Sequence, residues 1–240
     1  CNRTEWAFIS PDPNKAIDML FKRIKEKTNI SPTILKKHAT IYQNTAAITH
    51  LFELSCGLKS MVLGENEILS QLKENYRMCM EFGATNAYLN KLFQLLIATG
   101  KEVRSVTNIS KGAHSISSIA IEAIKTIDTN FLSKPMLLIG AGVMIHRALA
   151  KLAAMGHENL WISNRTMSKA ENLATIYPNL TVIPYASITK RLQEFKTIYV
   201  GIHSSEYILS KQHFQHLDKK TIVDVSVPRC VDPECESLNN

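Results

Sequence analysis

Met136-Leu137-Leu138-Ile139-Gly140-Ala141-Gly142-Val143-Met144-Ile145 is the stretch on which the reading of this 240-residue chain turns. Four apolar residues in a row, closed by glycines, are too short for a buried helix and fit a buried strand. Beyond Gly142 the apolar spacing becomes helical from Val143 to Met155 and stops at Gly156, a helix-ending residue. Downstream, Leu160-Trp161-Ile162, Thr181-Val182-Ile183, Ile198-Tyr199-Val200 and Ile222-Val223-Asp224-Val225 alternate with helical spacers. Short strands separated by helices are βαβ units, so the second half is expected to form a parallel sheet of α/β type.

A strand, a Gly-Ala-Gly loop and a helix in that order make the context of a Rossmann-type dinucleotide site. The first glycine permits a tight turn. The second lets backbone amides approach a pyrophosphate at the helix N-terminus, where N–H groups and the helix dipole favour an anion. The candidate cofactor-binding residues are therefore Gly140, Ala141, Gly142, Val143, Met144 and Ile145. Ile145 stands where a third glycine is usual, so the motif is incomplete, but Ala148, Ala150 and Ala153 offer small residues for close packing. The next strand ends in Ser163-Asn164-Arg165-Thr166. An NAD site places a carboxylate there for the ribose 2′-hydroxyl. A guanidinium and two hydroxyls suit a 2′-phosphate instead, so NADPH is expected in preference to NADH. An arginine in a surface turn would look the same.

The first half reads as helix-rich. Arg3 to Ile9 is a strand candidate ending in the turn cluster Ser10-Pro11-Asp12-Pro13. Asn14 is placed to cap a helix carrying Ile17, Leu20, Phe21 and Ile24, and Lys36 to Ile41 reads as extended. Further helices are expected from Thr45 to near Gly57, after Gly64-Glu65-Asn66, along Leu89 to Val103, and from Ile116 to Ile127. The stretch from Thr107 to Gly112 reads as a junction. The expected division is a catalytic domain over residues 1–107, and a linking helix plus nucleotide-binding domain over residues 108–240. No internal repeat or low-complexity segment is visible.

Composition narrows the class. The net charge is +7, and residues 1–120 hold +5 of it. A basic half attracts polyanions, although a solvated basic surface would carry the same charge. The apolar fraction of 45% supports a core, and 20% charged residues is too few for a disordered chain. Five cysteines do not make a disulfide scaffold, so a reducing, cytoplasmic setting is expected. No apolar run is long enough to span a membrane, and no signal peptide opens the chain. The first residue is Cys1, as in a fragment or a processed chain; a lipoprotein start is disfavoured by the charged residues that follow. Cys79 is expected in a helix core. Cys230 and Cys235 lack zinc spacing, so no metal site is expected. On pattern alone Cys1 has no better claim to catalysis than Cys56.

Cys1-Asn2-Arg3-Thr4-Glu5, His50-Leu51-Phe52, Ser55 to Glu65 (SCGLKSMVLGE), Ile68-Leu69 and Gln71-Leu72-Lys73 closely resemble the glutamyl-tRNA reductase family. Leu92-Phe93-Gln94, Gly100 to Arg104 (GKEVR), Ser115 to Ser118, Gly140 to Gly142, Asn164-Arg165-Thr166 and Asp224 to Arg229 (DVSVPR) continue the match in order, as far as about Pro233.

The resemblance implies NADPH-dependent reduction of glutamyl-tRNA(Glu) to glutamate-1-semialdehyde, a porphyrin (tetrapyrrole) precursor, through a cysteine thioester. It implies Cys1 as nucleophile and His50 as acid/base or carbonyl-holding residue. It implies Arg3 as clamp on the substrate carboxylate, with Asn2, Ser60, Glu65, Asn66, Glu67 and Gln71 lining the substrate pocket. A homodimer and hand-over of product to glutamate-1-semialdehyde aminomutase are further implications, in a bacterial cytoplasm or a plastid stroma. The family commonly reads Glu-Pro-Gln where this chain has Glu65-Asn66-Glu67, which adds a carboxylate near a substrate that carries its own. Relative to the family, the chain lacks a leading strand segment and the C-terminal helical dimerisation region. A fragment that binds tRNA or a partner without catalysis is the competing reading. A shikimate-dehydrogenase-like enzyme is another, but it leaves Cys1 to Lys73 unexplained.

Overall fold

The computed structural model describes residues 3–110 and 115–238. The chain divides into two compact units, Cys1–Ala113 and His114–Asn240.

The first unit contains α1 (Pro13–Thr28), α2 (Pro32–His38), α3 (Asn44–Ser55), α4 (Glu67–Glu81) and α5 (Ala87–Val106). The helix starts follow from local chemistry. The Asp12 carboxylate accepts the Lys15 amide at 3.1 Å with Pro13 at the first helical position, so Asp12 is the cap and not Asn14. Ser31 and Pro32 repeat that arrangement for α2, which makes residues 36–38 helical where Lys36 to Ile41 was expected to be extended. Asn86 caps α5 by accepting the Leu89 amide at 2.9 Å. Helices α3, α4 and α5 pack on one another around Leu54, Leu69, Leu72, Tyr76 and Leu96. Gly100 permits the α3–α5 approach: a Cβ there would lie 2.7 Å from the Ser55 carbonyl oxygen.

Two further expectations fail in this unit. Arg3 to Ile9 forms no strand, because a strand needs a partner for its N–H and C=O groups and none runs beside it among the described residues. Cys79 is exposed and not in the core, because the buried side of α4 ends at Tyr76, one turn earlier.

The second unit opens with α6 (Ile116–Ile127). It continues as β1 (Met136–Ile139), α7 (Val143–Ala154), β2 (Leu160–Ser163), α8 (Met167–Ile176), β3 (Leu180–Val182), β4 (Thr197–Val200) and β5 (Thr221–Asp224). The five strands are parallel in the order β3-β2-β1-β4-β5, with Met136 in register with Leu160 and Thr197. The expected parallel α/β sheet of Rossmann type is therefore present. Met136 and Leu138 join Ile121, Ile124, Leu149 and Leu152 on one side of the sheet. Leu137 and Ile139 join Ile188, Phe195, Leu209 and Val231 on the other. Strand β1 is buried on both faces, which is why its sequence shows no polar alternation.

Candidate functional sites

In the first unit, His50 lies in the second turn of α3 with its side chain 16% exposed. Its Nε2 is 2.9 Å from Glu5 Oε2. The other carboxylate oxygen, Oε1, is 2.7 Å from Arg3 Nε. Tyr42 stacks on the imidazole with ring centroids 4.4 Å apart. Glu5 thus braces the histidine and the arginine at once. A carboxylate on Nε2 favours the tautomer with the proton there, leaving Nδ1 with its lone pair. Nδ1 is buried with no hydrogen-bond partner among the described residues. Cys1 and Asn2 lie outside the described residues.

A second group sits in the loop between α3 and α4. Gly57 and Gly64 adopt φ +82 and +74, a region glycine enters freely. Neither tolerates a Cβ: at Gly64 it would lie 2.0 Å from the Ile109 carbonyl oxygen, and at Gly57 2.9 Å from the Gly64 Cα. The loop brings Ser60 onto Glu65, whose carboxylate accepts the hydroxyl hydrogen. Asn66 precedes α4 and accepts the Ser70 hydroxyl through its carbonyl at 3.1 Å. Glu67 opens α4, where a negative charge complements the helix dipole. Gln71 is half-buried one turn later.

Arg104 holds this loop, a role that sequence reasoning missed. Its guanidinium donates to the carbonyls of Ser55 at 2.6 Å, Gly100 at 2.7 Å and Glu65 at 2.9 Å. Burial pulls its pKa below the ordinary arginine value, with the neighbouring Cys56 acting in the opposite direction. The available signal was Gly100, a glycine inside a strong helix pattern four residues before Arg104.

In the second unit, Gly140 and Gly201 follow β1 and β4, the adjacent strands from which the sheet order runs both ways. That is the switch point where open α/β sheets bind ligands. Gly140 has φ +120, and a Cβ on it would lie 2.4 Å from the Gly201 carbonyl oxygen. Gly142 differs. Its φ of −89 suits any residue, and a Cβ would meet nothing within 4 Å. It caps α7 without a side-chain hydrogen bond, beside an open groove of about 520 Å3 lined by Ala141, Gly142, Val143, His146, Arg147 and Ala150. The protein itself makes no demand for glycine at 142, but a phosphate seated on the helix amides would, so these residues fit a dinucleotide. Val143 is exposed, whereas Ile145 is fully buried and would offer a ligand only its amide. The Met144 carbonyl accepts from Ser117 Oγ at 2.9 Å.

At the end of β2, the Ser163 hydroxyl is buried and donates to the Ile183 carbonyl at 3.0 Å, so it ties two segments together. Asn164 Nδ2 donates to the Thr166 carbonyl at 2.8 Å and shapes the turn into α8. Arg165 is exposed. It acts electrostatically on Tyr185, whose hydroxyl pKa is raised by burial while Arg165 works to lower it. Tyr185 was not anticipated, because it follows β3 and only the fold brings it near β2. Among the described residues no group of three metal-ligating side chains occurs, and no helix is long and apolar enough to cross a membrane.

Residues 1–107 match the model for the glutamyl-tRNA(Glu) reductase N-terminal domain, and residues 122–240 match that for shikimate/quinate 5-dehydrogenase. The chain is 36% identical over its whole length to the glutamyl-tRNA reductase of Chlorobaculum parvum, covering 58% of that protein. It is 30% identical to that of Priestia megaterium, with 99% of this chain and 54% of that one aligned. The glutamyl-tRNA reductase of Methanopyrus kandleri has a solved structure that aligns at 26% identity and a TM-score of 0.48, covering 91% of this chain and 55% of that one. The chain spans a little over half the length of the curated relatives it matches.

Proposed function

We infer that the chain is a member of the glutamyl-tRNA reductase family, and from that premise propose that it reduces glutamyl-tRNA(Glu) to glutamate-1-semialdehyde with NADPH. The observation that carries the proposal is the Glu5-braced pair of Arg3 and His50. It supports Arg3 as a cation for a carboxylate and His50 as a polarised imidazole, both held by Glu5 of the sequence block that begins with Cys1.

Hydride adds poorly to an ester carbonyl, so the ester is first exchanged for a thioester. The Cys1 thiolate attacks the glutamyl carbonyl carbon, and the bond to the tRNA 3′ oxygen breaks. His50, through the Nδ1 lone pair, takes the proton given up by the Cys1 thiol and passes it to this oxygen as it leaves. The Arg3 guanidinium holds the side-chain carboxylate, for which its planar fork is suited. Ser60, Glu65, Asn66, Glu67 and Gln71 surround the glutamyl group, with Asn2 beside the nucleophile. NADPH, when bound, supplies the hydride that converts the thioester to aldehyde and releases the thiolate. Gly140 to Ile145 would seat its pyrophosphate. Arg165 and Thr166 would meet the 2′-phosphate, while Ser163 and Asn164 shape that turn. Homodimerisation and transfer of the semialdehyde to an aminomutase belong to the same proposal.

The match to shikimate dehydrogenases covers the second unit and leaves the His50 cluster without a purpose. The test is the full-length protein assayed with charged tRNA and NADPH. Semialdehyde and a glutamyl thioester detectable by mass spectrometry are expected, both lost in Cys1→Ser. Semialdehyde formation by Cys1→Ser would overturn the nucleophile assignment, and turnover of shikimate would overturn the substrate.

A further inference from the structure

The basic charge of the first unit is concentrated in one place. Residues 12–38 hold seven basic and three acidic side chains, a net +4, whereas residues 39–110 hold six of each and are neutral. Those 27 residues are α1, α2 and their connection, two helices that pack on each other. All seven cations are exposed: Lys15, Lys22, Arg23, Lys25, Lys27, Lys36 and Lys37. Two have acidic neighbours, Arg23 with Glu26 at 3.0 Å and Lys36 with Asp18 at 2.9 Å. Among the described residues the other five carry no ion pair, so their charge is uncompensated nearby. The apolar stripe Ile17, Leu20, Phe21 and Ile24 faces inward, and Lys15, Lys22 and Lys25, seven and three residues apart, follow one flank of α1 beside it.

Helix solubility does not require this. Helices α4 and α5, also exposed on one side, together hold five basic and four acidic side chains, a net of only +1. Nor do helix dipoles, which account for Lys25, Lys27, Lys36 and Lys37 near helix C-termini but not for Lys15 or Lys22. We propose that the α1–α2 hairpin is a docking surface for the phosphodiester backbone of the RNA substrate. The proposal rests on the function above and adds which surface of the chain meets the tRNA away from its 3′ end. Lysine ammonium groups on flexible stems read phosphates as point charges without base specificity, which suits a backbone contact. Each neutralised phosphate releases counterions, so the contact weakens steeply with salt.

The test replaces Lys15, Lys22, Lys25 and Lys27 together by glutamine in the full-length protein. Fluorescence anisotropy with tRNA is followed across a salt series, and the KM and kcat for charged tRNA are measured. The expected result is at least about tenfold weaker binding at low salt, with the slope of log K against log salt reduced by about three. KM should rise with kcat at saturation unchanged, and the four-arginine variant should restore binding. Circular dichroism and thermal melting report whether the hairpin stays folded, and the arginine variant answers the same question functionally. Unchanged affinity and slope would overturn the surface while leaving the enzyme assignment intact. Failure of the parent protein to bind tRNA at all would overturn both. Loss of binding to an acidic protein with tRNA affinity preserved would assign the surface to that partner and sink the RNA proposal.

Discussion

Glu5 is the residue whose importance the structure raises most. In the sequence it is the last letter of a motif, and in the fold it is the carboxylate that holds both His50 and Arg3. Replacing it by glutamine removes the charge that favours the Nε2–H tautomer and keeps the shape. Glu5→Gln should lower kcat by on the order of tenfold, with melting temperature nearly unchanged. A flat kcat would detach Glu5 from the reaction. Glu67 makes a contrasting case. It adds negative charge where the family commonly has an amide, in the block proposed to surround the glutamyl group, whose substrate carries its own carboxylate. Glu67→Gln should lower the KM for glutamyl-tRNA several-fold without changing kcat; a higher KM would show that the carboxylate is used. The glycines also separate cleanly. Gly142→Ala meets no protein atom, so it should leave stability alone and weaken NADPH binding, measured by fluorescence titration. Gly140→Ala must move the backbone at Gly201 and should cost on the order of 3 kcal/mol in thermal unfolding.

At the scale of elements, helix positions were legible wherever apolar spacing ran long, as in α5, α6 and α7. The misreadings fell where a short-range device or a distant partner decides. Residues 32–38 are helical because Ser31 and Pro32 start a helix that has no long apolar stripe to announce it. Residues 3–9 look like a strand because their composition suits one, yet strand formation needs a neighbour that composition does not supply. The loop between α3 and α4 is held at three carbonyls by one arginine on α5. Arg104→Met would keep much of the stem and leave those buried acceptors unpaired. It should destabilise the first unit by about 2–4 kcal/mol and raise the KM for charged tRNA, because Ser60 and Glu65 ride on that loop. A variant as stable as the parent would show that the loop holds itself.

For the whole molecule, acid sensitivity follows from one buried histidine in the second unit. His157 is 2% exposed and packs edge-on against Phe131. Burial pushes its pKa down from 6.5 to about 4, with a backbone hydrogen bond at Phe131 opposing. The unfolded chain therefore takes up a proton between pH 6.5 and 4 that the folded chain refuses. Stability should be insensitive to this group above pH 6.5, fall by on the order of 2 kcal/mol as pH drops to 4, and lose no more below that. Urea unfolding at several pH values, with His157→Leu as the flatter comparison, measures it; parallel curves for the two proteins would refute the assignment.

By itself the sequence determined the parallel sheet, the glycine loop and the two-unit order, since these depend on local periodicity and on glycines with no substitute. It also marked out the blocks proposed to carry the chemistry, because those residues form continuous motifs. Only the tertiary structure decided what the motifs do to one another. Glu5 reaches His50 across 45 positions, Arg104 reaches Ser55 across 49, and Tyr185 comes near Arg165. Those are charge and hydrogen-bond pairings between separate elements, set by packing, and no spacing along the chain encodes them. The concentration of charge on α1 and α2 lies between the two: its residues can be counted in sequence, but only two helices folded together make it a surface.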